Sequence, residues 1–166
     1  MIFGAILAGG VGSRMNISDM PKQFLPLGDK PIIIHTLEKF LLCERIDEIY
    51  IGVHPNWLVH MEDLIQKYVK IRKEQIHIVA GGGDRNTTIM NLVDQMEKDF
   101  GSSEEHYIIT HDSVRPFVTA RIINDNIDRY DFNFVIGRLI YPDYYFDLFD
   151  KLVCYDCICE SELDNI

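Results

Sequence analysis

Short apolar runs alternate with amphipathic helical patterns from the N-terminus to Tyr130. Ile2–Leu7 predicts a first strand. Pro31, following Asp29, predicts the opening of a helix with Ile34, Leu37, Phe40 and Leu41 on one face. Ile49–Val53 predicts a second strand, and Asn56 a cap for a helix carrying Leu58, Met61, Ile65 and Tyr68. Ile76–Val79 predicts a third strand. Thr88 onwards predicts a helix with Ile89, Leu92, Val93 and Met96 at helical spacing. Tyr107–Thr110 predicts a fourth strand, and Ala120–Tyr130 a helix with Ile122, Ile123 and Ile127. Strand and helix in strict alternation predict an α/β fold: a three-layer sandwich around a mostly parallel, Rossmann-like sheet.

In such sheets ligands sit at the carboxyl ends of the strands. The segments after the first, third and fourth predicted strands should therefore meet on one edge. They carry Gly9-Gly10-Val11-Gly12-Ser13-Arg14, Gly81-Gly82-Gly83-Asp84-Arg85-Asn86 and His111-Asp112-Ser113-Val114-Arg115-Pro116. Glycines let backbone amides approach phosphate oxygens. Arg14 and, after it, Lys22 are cations placed to face charge that develops in phosphoryl or nucleotidyl transfer. On its own a strand ending in Gly-Gly-x-Gly is equally a tight turn. It is no Walker loop, since no Gly-Lys-Ser/Thr closes it, and it lacks the third glycine of the dinucleotide fingerprint.

Composition narrows the picture. With 166 residues, one domain is the default expectation. A formal net charge of −10 argues against a nucleic-acid or anionic-membrane surface. An anionic ligand must then be held by a local cluster of cations and amides. No run is long and apolar enough to span a bilayer, and Met1-Ile2-Phe3-Gly4-Ala5 lacks the basic start of a signal peptide. A cytoplasmic location is the expectation. Cys154, Cys157 and Cys159 cluster without a second ligand pair at zinc-like spacing, so they and Cys43 are read as reduced, unligated thiols.

Four collinear motifs carry a resemblance over residues 1 to about 130. They are Leu7-Ala8-Gly9-Gly10, Met20-Pro21-Lys22-Gln23-Phe24-Leu25-Pro26-Leu27, Asp84-Arg85-Asn86-x-Thr88-Ile89-Met90-Asn91 and Thr110-His111-Asp112-x-Val114-Arg115-Pro116-Phe117. Together they resemble the cytidylyltransferases that act on polyol phosphates, a family with the nucleotide-diphospho-sugar transferase-like fold. Its members include methylerythritol-phosphate enzymes of isoprenoid synthesis and ribitol-5-phosphate enzymes of teichoic acid or capsule synthesis. Leu-Ala-Gly-Gly looks more like the ribitol-phosphate branch. Sugar-1-phosphate nucleotidylyltransferases share the first loop, but Pro21-Lys22-Gln23-Phe24 and the His-Asp-x-x-Arg-Pro element argue against them.

The resemblance implies transfer of CMP from CTP to an alditol phosphate, D-ribitol 5-phosphate before 2-C-methyl-D-erythritol 4-phosphate, with release of pyrophosphate. The attacking phosphate oxygen is already anionic, so alignment and charge stabilisation suffice. By matching position, Arg14 and Lys22 would stabilise the pentavalent transition state. Leu7, Ala8, Gly9, Gly10, Gly12, Ser13, Gly81, Gly82, Gly83, Asp84, Arg85, Asn86, Thr87, Thr88 and Ser113 would bind the nucleotide, and Asp112 would bind Mg2+ with phosphate oxygens completing the shell. Plainer readings stand beside these: Asp84 as a helix cap, Asp112 as a turn aspartate, Arg115 as a loop brace and His111 as a packed strand-end residue. CTP and a polyol phosphate are the expected partners, with neither nucleic acid nor membrane, and a homodimer is admitted as well as a monomer.

After Tyr130 the resemblance stops, and the expectation is that the C-terminal part of the family fold is missing. The expected division is a nucleotide-binding domain over 1–136 and a divergent acidic tail over 137–166. Asp131–Ile136 reads as a fifth strand. Residues 142–166 hold seven acids and one lysine, and Tyr144, Tyr145, Phe146 and Phe149 suit a short packed helix. A third expectation follows: a CTP-binding chain without turnover.

Overall fold

A computed structural model describes residues 1–10, 20–103, 105–131 and 152–154, with 129–131 and 152–154 described by backbone alone. The elements run β1 (Ile2–Ala8), a hairpin of β2 (Pro26–Leu27) and β3 (Lys30–Pro31), α1 (Ile32–Leu41), β4 (Glu48–Val53), α2 (Leu58–Tyr68), β5 (Ile76–Ala80), α3 (Arg85–Phe100), β6 (Tyr107–Asp112), α4 (Ala120–Asp131) and β7 (Leu152–Cys154). The main sheet is ordered β5-β4-β1-β6-β7, and every pairing in it is parallel. This is the expected α/β sandwich, with β1 at its centre.

Side-chain alternation in the strands supplies two cores. On one face Ile6, Ala8, Ile49, Ile51 and Val53 pack with Ile33, Ile34, Leu37 and Phe40 of α1, Met61 and Ile65 of α2, and Ile123 and Ile127 of α4. On the other, Phe3, Ala5, Leu7 and Tyr50 pack with Ile89, Leu92, Val93 and Met96 of α3. Three helices thus cover one face and α3 covers the other. Gly52 lets α3 lie close: a Cβ there would stand 2.5 Å from Thr88 Cγ2.

Several boundaries differ from expectation. Pro31 is the N-cap of α1, one position before the helix. Asn56 does not cap α2. It sits in a 3-10 turn, Pro55–Trp57, where its N–H donates to the His54 ring, and Trp57 holds the cap position. Proline at the first position of that turn sets the entry instead. Helix α3 begins at Arg85, ahead of Thr88, because Asp84 caps it by accepting from the Thr87 N–H at 2.7 Å. Strand β6 continues through His111 and Asp112, so these two are its last residues. β7, from the tail, pairs Leu152–Cys154 with Ile108–Thr110. The fifth strand expected over 131–136 and the helix expected around Tyr144–Phe149 lie outside the described residues, except that Asp131 ends α4. Among the described residues no helix is long and apolar enough to cross a membrane.

Candidate active site

The carboxyl end of the sheet gathers the segments after β1, β5 and β6. Leu7 and Ala8 are buried, with Gly9 and Gly10 increasingly exposed as β1 leaves the sheet. The Leu7 carbonyl accepts from the Ser113 N–H at 3.1 Å, which joins the β1 exit to the β6 exit. The Ser113 carbonyl in turn accepts from the buried Thr36 hydroxyl of α1 at 2.9 Å. Ser113 is itself buried, so its main chain is a brace between layers.

Thr88 is the hub beneath the other two loops. It is 2% exposed. Its hydroxyl donates to the Asp84 carbonyl at 2.8 Å and accepts from the Gly82 N–H at 3.0 Å. A Cβ on Gly9 would stand 3.0 Å from that hydroxyl, and one on Gly81 3.2 Å from it. The β1 and β5 exits thus touch across the end of β4 because glycine occupies both. The structure uses the Thr88 side chain to shape the loop floor. Asn91, one turn further along α3, adds a bond from its amide to the Ala80 carbonyl at 3.0 Å.

Charge is concentrated one step outward. Gly83, Asp84, Arg85, Asn86 and Thr87 are exposed around the N-terminus of α3, where the helix carries partial positive charge. The Asp84 carboxyl is held below its ordinary value by the Thr87 N–H it accepts from. Arg85 reaches across the edge to Asp112, and Arg115 Nε donates to the other Asp112 oxygen at 3.2 Å. Asp112 therefore stands between two guanidinium groups. His111 is buried; its Nε2 lies 3.0 Å from the Arg115 carbonyl and its ring packs on Phe40.

Lys22 opens a 3-10 turn, Lys22–Phe24, and is half-buried. Phe24 anchors the turn in the core against Trp57 and His60. Gln23, 4% exposed, points the other way and donates to the carbonyls of Ala8 at 2.8 Å and Gly10 at 3.1 Å. In the sequence Gln23 stands within the Pro21–Leu27 motif with no role of its own. Beside charged Lys22 in the sequence nothing marks its amide as buried; only the fold shows it bonded inside. Arg14, Gly12 and Ser13 lie outside the described residues.

A hard divalent ion can take Asp112 as one oxygen donor. Among the described residues no cluster of three His, Cys, Asp or Glu could hold a metal by itself. Magnesium therefore fits only if phosphate oxygens or water complete its shell, which is its usual habit.

A parallel α/β sheet with glycine loops, a helix N-terminus and guanidinium groups at one edge defines the Rossmann-like α/β class, in which ligands sit at the carboxyl ends of the strands. The family model for IspD, 2-C-methyl-D-erythritol 4-phosphate cytidylyltransferase, matches residues 2–134, and the chain belongs to that family. It is 54% identical over 127 residues to the ribitol-5-phosphate cytidylyltransferase of Streptococcus pneumoniae serotype 2 (strain D39 / NCTC 7466), covering 76% of this chain and 54% of that protein. The fold is shared with 4-diphosphocytidyl-2C-methyl-D-erythritol synthase of Anaerococcus prevotii, at TM-score 0.56 and 23% identity, covering 78% of this chain and 50% of that one. A second 4-diphosphocytidyl-2C-methyl-D-erythritol synthase structure gives TM-score 0.61 at 21% identity, covering 77% and 53%. The chain spans about half the length of the curated relatives it matches.

Proposed function

We propose that this chain carries the nucleotide half of a cytidylyltransferase site, transferring CMP from CTP to an alditol phosphate, D-ribitol 5-phosphate first among them. The observation that carries the reading is the joining of three loops at one sheet edge. Gly9 and Gly81 meet over Thr88, and Arg85 spans to Asp112. The 54% identity to a ribitol-5-phosphate cytidylyltransferase supports the substrate.

In this reading the α3 N-terminus and the exposed Gly83 receive the nucleotide, and Arg14 and Lys22 neutralise charge at the α-phosphorus. The substrate phosphate needs no base, so these residues act by holding it in line and by balancing charge. Asp112 would hold magnesium, which supplies charge neutralisation to the phosphates when bound. Arg85 would then exchange Asp112 for a nucleotide oxygen, a conservative trade for a guanidinium that pairs with either anion.

The test is pyrophosphate release from CTP with magnesium, using ribitol 5-phosphate and 2-C-methyl-D-erythritol 4-phosphate in parallel. Release with ribitol 5-phosphate, lost in Arg14→Ala, is expected. Preference for the methylerythritol phosphate would favour the branch whose name the family model bears. CTP binding that depends on Arg14, with no release from either acceptor, would leave a binding module without turnover. Absence of CTP binding would overturn the nucleotide reading.

A further inference from the structure

Gln23 holds together two segments whose chemistry differs. Its side-chain amide donates to the Ala8 carbonyl at 2.8 Å and to the Gly10 carbonyl at 3.1 Å. These carbonyls flank Gly9, the residue at which β1 leaves the sheet. Gln23 is buried at 4% exposure and belongs to the same 3-10 turn as Lys22. Peptide bonds among the described residues are all trans. In a trans peptide the carbonyl of one residue and the N–H of the next point in opposite directions. A carbonyl of Ala8 turned to Gln23 therefore turns the Gly9 N–H away from it. The second bond, to the Gly10 carbonyl at 3.1 Å, adds a further restraint on a stretch that glycine would otherwise leave free.

We infer that Gln23 is the positioning residue of the glycine loop: one buried amide orients the loop main chain for phosphate and sets Lys22 in register with it. The inference rests on the nucleotide reading above and deepens it. Phe24 is the other half of the device. It roots the turn in the core, so the Gln23 amide is presented from a rigid support. Replacing Gln23 by Met preserves length and apolar bulk but offers no donor. Replacing it by Glu sets a carboxylate against two carbonyl oxygens.

The experiment compares Gln23→Met, Gln23→Glu and wild type by calorimetric titration with CTP, CMP and inorganic tripolyphosphate, together with amide exchange over residues 7–10 and urea unfolding. A role in orienting phosphate predicts a selective loss. CTP and tripolyphosphate affinities fall about tenfold or more in Gln23→Met, the worth of roughly one well-placed hydrogen bond, while CMP affinity holds within about twofold. Gln23→Glu falls further, and exchange accelerates only over residues 7–10. Equal losses for CMP and CTP, or no loss, would overturn the inference, because general support of the fold does not discriminate by phosphate number. Wild type that binds tripolyphosphate but not CTP would sink the nucleotide reading, and the Gln23→Met comparison on tripolyphosphate would then decide the loop's phosphate role separately. If wild type binds none of the three, the phosphate role falls with the function. A Gln23→Glu variant that unfolds leaves Gln23→Met to decide.

Discussion

The two ends of the sheet are built from similar residue types and put them to opposite uses. At the amino end, Phe3, Tyr50, Phe100, His77 and His106 interlock, with Tyr50 stacked on His77 at 4.4 Å between ring centres. The Tyr50 hydroxyl donates to Asp99 at 2.8 Å, and His77 pairs with Glu48 at 2.8 Å. Arg72, in a left-handed conformation at φ 50°, closes the α1–β4 turn by donating to the Leu41, Cys43 and Ile46 carbonyls. Polar groups here are consumed by the fold. At the carboxyl end Arg85 and Arg115 both pair with Asp112 near solvent, and Asp84 caps α3 beside them, above a floor of Thr88, Gln23 and glycines. Surface pairs of this kind are worth little and exchange readily. The lesson is where a ligand can enter: an arginine bound to buried carbonyls is structural, and one bound to a half-exposed carboxylate can trade partners.

Breaking the closed end should cost the most stability. Phe3→Ala is expected to lose about 3–5 kcal/mol in urea unfolding, with nucleotide affinity of the folded fraction unchanged. A change in CTP affinity matching that loss would erase the contrast between the ends. Next comes Thr88→Val, which keeps the shape but strips the bonds to Asp84 and Gly82. About 1–3 kcal/mol of stability and a loss of CTP affinity are expected together, since the floor serves both. Arg85→Ala should reverse the order seen for Phe3: stability shifts by about 0–1 kcal/mol while CTP affinity drops by tenfold or more. Titration calorimetry beside unfolding curves separates the cases.

The smallest effect sharpens the closed end by pH. Burial, then the hydrogen bond to Asp99, raises the Tyr50 pKa above its ordinary value of 10.0. A raised pKa in the folded state means the neutral phenol contributes fully below pH 10.0 and that this contribution is lost as pH rises beyond it. Unfolding curves of wild type should therefore show an alkaline decline that Tyr50→Phe lessens. An identical decline in both proteins would place its origin elsewhere.

Much of the site was legible in sequence because its chemistry is local. A glycine run after an apolar strand reads the same in one dimension as in three, and so does an aspartate placed before a helix. The Asp84 cap is an example, as is the grouping of Gly9, Gly81 and Asp112 on one edge, which follows from alternation and parallel pairing. The roles of Thr88 and Gln23 were not legible. Thr88 sits in an ordinary helical pattern, and only packing under Gly9, Gly52 and Gly81 shows its hydroxyl turned inward. Asn56 has a capping side chain, yet Pro55 beside it sets a 3-10 turn and shifts the helix start.

What the sequence determined by itself is the order of strands and helices, their inward faces and the sheet edge on which the glycine, arginine and aspartate segments would meet. Hydrophobic periodicity and backbone preference act over a few residues, so they are written into the chain directly. What only the tertiary structure decided is which of those residues keep their polar atoms for one another. The Arg85–Asp112 pair joins residues 27 apart, and the Thr36–Ser113 bond joins residues 77 apart. The Gln23 bonds reach back across the glycine loop. Such pairings exist only once the sheet has brought distant strand ends within hydrogen-bond reach, because the fold, and not the neighbouring sequence, sets those distances.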